Sequence, residues 1–287
     1  MTEQITSAQN PKIKNLLLLQ EKSKARREQG LFVVEGRREL EHCLEGGYTV
    51  RTLFVCPEIL SASGRASIPE AKGLSALEAS AFNLASEGDR SFASGARYIE
   101  IPETLYRKVA YRDSTEGIIA EVEYKSLTLE DLQLPENPLV MVLESVEKPG
   151  NLGAVLRSAD AARADAVLVC DPLTDLFNPN LIRASIGAVF TVPTVACTSA
   201  EAIAFLKARG IRILTAQLQD SSLYYDTDMR CGTALVMGTE STGLSPVWRA
   251  AADAHIRIPM LGRLDSLNVS VSAAILLFEA VRQRQEA

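Results

Sequence analysis

Residues 139–143 read LVMVL, an apolar run with no polar side chain inside it. A strand that shows one face to water alternates, so an unbroken run predicts a strand covered on both faces, the usual condition of a parallel sheet. The pattern then repeats. Helical stretches at 152–162, 181–188 and 200–209 alternate with strand-like runs at 166–170, 191–195 and 211–216, and this alternation predicts an α/β domain with a mostly parallel sheet. Its ligand is constrained too. Neither GxGxxG nor GxxxxGK[ST] occurs in the chain, so nicotinamide and ATP chemistry lack their phosphate loops.

A further apolar run, 233–237, breaks at Gly238 and enters the polar turn Thr239, Glu240, Ser241, Thr242, Gly243. A second short strand, 255–258, stops at Pro259 and leads into another turn at 262–266. Ser266 and Asn268 then offer side-chain oxygens to the free N–H groups at the start of a helix over 269–285. That helix is expected to bury Val271, Ala274, Ile275, Phe278 and Val281. Loops at strand ends present backbone groups that no ladder uses, which suits a polar small molecule.

The N-terminal part forms a smaller unit. Asn10 before Pro11 reads as a helix start, and the leucine-rich, basic stretch 8–28 as one helix. Strands at 31–34, 50–56 and 98–101 and helices at 39–44 and 76–85 make a small α/β domain. Domain boundaries are read as 1–124 and 139–287, with the proline-bearing 125–138 as linker. Up to Arg38 there are eight basic residues and four acids, a local +4 that leaves −10 elsewhere in a chain of net charge −6. Lys12, Lys14, Lys22, Lys24, Arg26 and Arg27 are either the wet face of a packed helix or cations for a phosphate backbone.

The start has no apolar leader and no apolar run reaches membrane-spanning length, which points to the cytoplasm. Five cysteines without a CxxC pair read as free, mostly buried thiols. Only His42 and His255 are present, without zinc-ligand spacing, so no metal is expected.

Three separated stretches carry a resemblance: KPGNLGAVLR at 148–157, GTESTGLS at 238–245, and IPMLGRLDSLNVSVSAAILLFE at 258–279. In this order they are similar to the signature motifs of the SpoU branch of the SPOUT RNA methyltransferases. The likeness is strong over 139–285, and the stretch from Phe32 to Gly47 resembles, loosely, that family's L30-like RNA-holding domain. It implies a C-terminal trefoil-knotted domain, S-adenosylmethionine, a homodimer formed by the first-motif and last helices, and methyl transfer to a ribose 2′-hydroxyl of RNA, ribosomal in preference to transfer RNA. By motif position, Gly238, Ile258 and Leu267 contact the cofactor, with Thr215, Ala216, Gly262 and Asn268 nearby. Arg157, Asn151, Glu240, Ser266 and Asn268 form the catalytic set, and Glu35, Gly36, Arg37 and Arg183 face RNA. Two positions depart from the family: Thr115-Glu116 replaces Pro-Gln, and Asn180 stands where a lysine is usual.

Other readings stay open on the residues alone. Ser266 with Asn268 is also an ordinary helix cap, Asn151 and Gly153 an ordinary turn, Arg157 a surface ion-pair partner and Glu240 a solvated acid. A non-catalytic RNA-binding or ribosome-assembly factor on the same fold is a second functional class.

Overall fold

The computed structural model describes residues 3–64, 96–111, 116–239, 242–263 and 266–285. The chain divides into two units, Met1–Lys125 with Phe177–Pro179, and Ser126–Leu176 with Asn180–Ala287.

In the first unit, β1 (Glu3–Gln4), α1 (Pro11–Glu21), α2 (Ser23–Gln29), β2 (Leu31–Glu35), α3 (Arg37–Glu45), β3 (Val50–Val55), α4 (Pro57–Gly64), β4 (Arg97–Glu100), α5 (Glu103–Val109) and β5 (Ile118–Glu123) follow in order. The sheet runs β1-β4-β3-β5-β2. Its β1, β4 and β3 are parallel, and β5 is antiparallel to both neighbours. The helix expected at 76–85 lies outside the described residues.

The Asn10 side chain accepts from the Lys12 N–H, and Pro11 opens α1, as the sequence predicts. The helix does not run on to 28. It breaks at Lys22, which is extended. The Arg26 guanidinium, only 2% exposed, donates to the Leu19 carbonyl at 2.7 Å and the Gln20 carbonyl at 3.2 Å. Those are carbonyls that a helix end leaves without N–H partners. Arg26 is therefore a structural clamp, and the expectation that it meets phosphate is corrected. Lys12 is paired with Glu3 at 2.5 Å, whereas Lys14, Lys22 and Arg27 are exposed. Phe177 belongs to this unit, is buried, and stacks on Phe32, ring centroids 4.4 Å apart.

The second unit contains β6 (Leu139–Glu144), α6 (Pro149–Ala161), β7 (Ala166–Cys170), α7 (Pro179–Ser185), α8 (Ala188–Thr191), β8 (Thr194–Cys197), α9 (Ser199–Ala208), β9 (Arg212–Ala216), β10 (Ser222–Leu223), β11 (Thr233–Met237), α10 (Pro246–Ala251), β12 (Ala254–Arg257) and α11 (Val269–Gln285). The strand order is β10-β12-β9-β11-β6-β7-β8, and every neighbouring pair is parallel. Each residue of β6, β7 and β11 is buried, as unbroken apolar runs require. The strand expected at 191–195 begins only at Thr194, because Thr191 still belongs to α8.

Residues 126–138 carry no regular element, yet Leu129 and Leu132 are buried in the core of this unit. The last helix buries Val269, Ala273, Leu276, Leu277 and Ala280. Val271 and Phe278, expected inside, are 47% and 48% exposed. Apolar residues lie on more than one side of α11, so its periodicity does not say which side meets the sheet. Arg284 fixes its end. Its guanidinium donates to the carbonyls of Met229, Asn137, Pro138 and Cys231 at 2.7–3.1 Å.

The register decides where a ligand can sit. Ala216 pairs with Ile256, and Thr215 with both Val236 and His255. The C-terminal ends of β9, β11 and β12 thus lie side by side, and the loops that follow them emerge at one edge.

Candidate functional site

A cavity of about 360 Å³ opens among those loops, within the size of a small-molecule site. Ala216 and Gln217 line it from the exit of β9, Met237, Gly238 and Thr242 from β11 and its loop, and Ile258 and Met260 from beyond β12. Ser266, Leu267 and Val269, at the approach to α11, complete the wall. Ala216, Gly238, Ile258, Ser266 and Leu267, drawn from three parts of the sequence, are therefore brought together.

Gly238 is fixed by its own loop. A Cβ there would lie 2.2 Å from the Gly243 carbonyl oxygen and 2.6 Å from the Leu244 nitrogen, so only glycine lets the chain fold back so closely. The turn is held by Thr239, whose Oγ1 accepts from the Thr242 N–H and whose carbonyl accepts from the Gly243 N–H. Glu240 lies outside the described residues. At Gly262 a Cβ would meet nothing within 4 Å, so packing in this chain does not require glycine there.

Thr215 and Gly262 do not line the cavity. Thr215 is fully buried and shares a 2.6 Å hydrogen bond with His255 Nδ1. This places its hydroxyl between β9 and β12.

Asn268 also stands off the wall, but it joins two motifs. Its Oδ1 accepts from the Ser270 N–H at 3.0 Å, a helix-capping contact, while its Nδ2 donates to Asn151 Oδ1 at 3.1 Å across 117 residues of sequence. The cap and the functional readings of Asn268 are thus compatible. Asn151 lies in the first turn of α6, and Gly153 follows on the side that meets α7. A Cβ at Gly153 would come within 2.5 Å of the Ala184 Cβ, so this glycine lets the two helices touch. Arg157 and Arg183 are exposed. Arg157 forms no ion pair among the described residues.

Four positions were missed in the sequence. Glu144, the last residue of β6, is buried and accepts from the N–H and hydroxyl of Ser245 and, at 3.3 Å, from the Ser199 hydroxyl. It anchors the far end of the loop that starts at Gly238. An acid closing an apolar strand is a readable signal, since sites in parallel sheets gather at that end. Gln217, Arg249 and Arg257 also line the cavity. Nothing in their spacing marks them. Among the described residues no group of three or more His, Cys, Asp or Glu is placed to hold a metal ion, and no helix is long and apolar enough to cross a membrane.

Residues 138–278 match the family model of the SpoU rRNA methylases, and residues 10–120 match an MRM3-like substrate binding domain. The chain is 37% identical over 197 residues to the 23S rRNA (guanosine-2′-O-)-methyltransferase RlmB of Ralstonia nicotianae, covering 67% of this chain and 79% of that protein. A crystal structure of an RNA 2′-O ribose methyltransferase superimposes with a TM-score of 0.78 at 37% identity, over 98% of this chain and 99% of that one. An AdoMet-bound rRNA methyltransferase from Sinorhizobium meliloti does so with a TM-score of 0.81 at 28% identity, over 98% of both chains.

Proposed function

Because this chain belongs to the SpoU rRNA methylase family, we propose that it transfers a methyl group from S-adenosylmethionine to a ribose 2′-hydroxyl of ribosomal RNA. The observation that carries the reading is the Asn268–Asn151 hydrogen bond. It ties the first motif to the third beside a cavity built from the second and third. The cavity fits the cofactor: apolar Met237, Ile258 and Leu267 suit a purine, and Gly238 leaves its backbone without a covering side chain.

S-adenosylmethionine supplies an electrophilic methyl group on a sulfonium. The chain has to hold it in line with the ribose oxygen and stabilise the charge that develops there. Arg157 does the second. A guanidinium keeps its proton, so it stabilises the alkoxide and grips the neighbouring phosphate, and the proton leaves by way of substrate or solvent. Asn151, held by Asn268, positions RNA against Arg157. Glu240 orients these groups, and Ser266 holds the ribose side of the cofactor. Gly238, Ile258 and Leu267 offer their backbone to the adenosine.

In this reading the loops around β11 and β12 form a trefoil knot, the first unit is an L30-like domain that holds RNA, and the protein works in the cytoplasm. Lys14, Arg27, Arg37 and Arg183 meet phosphate. A homodimer forms through α6 and α11, supported by exposed Val271 and Phe278. Phe278→Asp should turn it into a monomer in analytical ultracentrifugation, and an unchanged mass would remove that face from the interface.

The direct test is methyl transfer from labelled S-adenosylmethionine to unmodified ribosomal RNA and bulk transfer RNA side by side, with the labelled nucleotide mapped. Label on a ribose of ribosomal RNA is expected. Label on a base, or on transfer RNA alone, would overturn the assignment.

A further inference from the structure

Two of the five cysteines stand side by side where two strands end. Cys170 closes β7, Cys197 closes β8, and the register pairs them directly. Neighbouring strands lie about 4.8 Å apart, inside the roughly 4.4–6.8 Å that a disulfide spans between α-carbons. Their sulfurs are 3.9 Å apart, and both are free thiols. Cys170 is fully buried, whereas Cys197 is only partly so. The hydrogen bond between them, together with burial, pushes the Cys170 thiol up. The same hydrogen bond brings Cys197 down, against burial and the carboxylates of Glu201 and Asp171. The outer sulfur thus gives up its proton more readily and the inner one keeps it, the division between an attacking and a resolving thiol.

The surroundings tie this pair to the cavity. The Asp171 N–H donates to the Cys197 carbonyl at 2.9 Å, and Asp171 Oδ2 accepts from the Ser199 N–H at 3.2 Å and from its hydroxyl at 2.6 Å. The Ser199 oxygen accepts from Trp248 Nε1 at 3.0 Å and lies 3.3 Å from Glu144 Oε1. Glu144 pairs in register with Cys170. It also accepts from the Ser245 N–H at 2.8 Å, at the far end of the loop whose Gly238, Thr242 and Leu244 line the cavity. Residues beside both cysteines therefore meet at the anchor of that loop.

We infer that Cys170 and Cys197 are a site of reversible oxidation, in which hydrogen peroxide closes a disulfide between them and the closure loosens the cavity loop. The Cys197 thiolate attacks one peroxide oxygen, the O–O bond breaks, and hydroxide departs, leaving a sulfenic acid on Cys197. The Cys170 sulfur then displaces the sulfenic oxygen, which leaves as water with the Cys170 proton, so two electrons pass from the two thiols to peroxide. Both sulfurs are packed in one core cluster. Closing from 3.9 Å to about 2 Å therefore moves the strand ends as well as the side chains. That shifts Asp171 and Ser199 against Glu144, and Ser245 with it. The effect on the cavity rests on the cofactor reading above; the disulfide does not.

The full chain is treated with hydrogen peroxide, freed of it, and divided between non-reducing peptide mapping and calorimetry with S-adenosylhomocysteine. A peptide linked through Cys170 and Cys197 is expected, with affinity about tenfold below that of the reduced protein and restored by dithiothreitol. Cys197→Ser should bind like reduced wild type before and after peroxide. Cys170→Ala keeps the attacking sulfur alone and should stop at a sulfenic acid that dimedone traps. Free thiols at both positions after treatment, or a bond joining other cysteines, would overturn the inference. So would a mapped disulfide that leaves affinity unchanged, or an equal loss of affinity in Cys197→Ser, which would place the effect of peroxide elsewhere. Reduced protein that binds no S-adenosylhomocysteine would remove the cofactor reading, and peptide mapping would still decide the disulfide.

Discussion

Arg157 and Glu121 illustrate opposite fates of a charge. Arg157 is exposed and unpaired among the described residues, so its guanidinium is free to meet a developing oxyanion. Arg157→Ala should lower methyl-transfer turnover about 100- to 1000-fold, the scale of losing one oxyanion donor, while S-adenosylhomocysteine binds as before by calorimetry. A parallel loss of binding would make Arg157 part of the cofactor site instead. Glu121 lies buried on β5, and burial raises its pKa above the ordinary 4.5, against the lowering effect of hydrogen bonds from Thr52 and Asn15. The folded chain holds this proton more tightly than the unfolded one. Its contribution to stability is therefore complete below the unfolded value and is lost as pH rises through the folded one. Glu121→Gln should melt with wild type at about pH 4 and above it at about pH 8. A constant gap at both pH values would show that Glu121 does not titrate differently in the two states.

At the scale of elements, the C-terminus of α11 is held more firmly than a terminal turn usually is. Arg284 gathers four carbonyls from the segments leading into β6 and β11. A lysine keeps the charge but not the planar fork. Arg284→Lys should cost roughly 2–4 kcal/mol, several charge-assisted hydrogen bonds acting together, read as a lower urea midpoint. A midpoint within error of wild type would mean that water replaces the clamp at no cost. Elements were legible where a single local pattern decided them. LVMVL could only be a doubly covered strand, and Asn10-Pro11 could only open a helix. Patterns that depend on a partner were not legible. The break at Lys22 is sealed by Arg26 from the next helix, and the buried side of α11 is chosen by the sheet beneath it. The site divides in the same way. Gly238 and the Asn268 cap are written locally, whereas the Asn151–Asn268 contact spans 117 residues and Gln217 meets Arg257 only through the register of two strands.

For the whole molecule, the question is how a chain of net charge −6 holds a polyanion. The basic N-terminal stretch looked like the answer, but the fold spends part of it internally. Lys12 is paired with Glu3, Lys24 with Glu28 at 3.6 Å, and Arg26 is buried on carbonyls. Lys14, Lys22, Arg27 and Arg38 remain exposed. Each phosphate that is neutralised adds about 0.7 to 0.9 to the slope of log affinity against log salt. Lys14→Ala with Arg27→Ala should therefore weaken RNA binding and flatten that slope by about 1.5. Arg26→Met should leave the slope alone and lower the melting temperature, since it acts on helix ends and not on phosphate. Filter binding of a ribosomal RNA fragment across a salt series, beside melting curves, separates the two. If the double variant keeps the wild-type slope, the N-terminal cations do not touch RNA, and the charge that holds it must be sought around Arg157 and Arg183. If Arg26→Met flattens the slope instead, its guanidinium leaves its carbonyls when RNA binds, and the structural role given to it here is wrong.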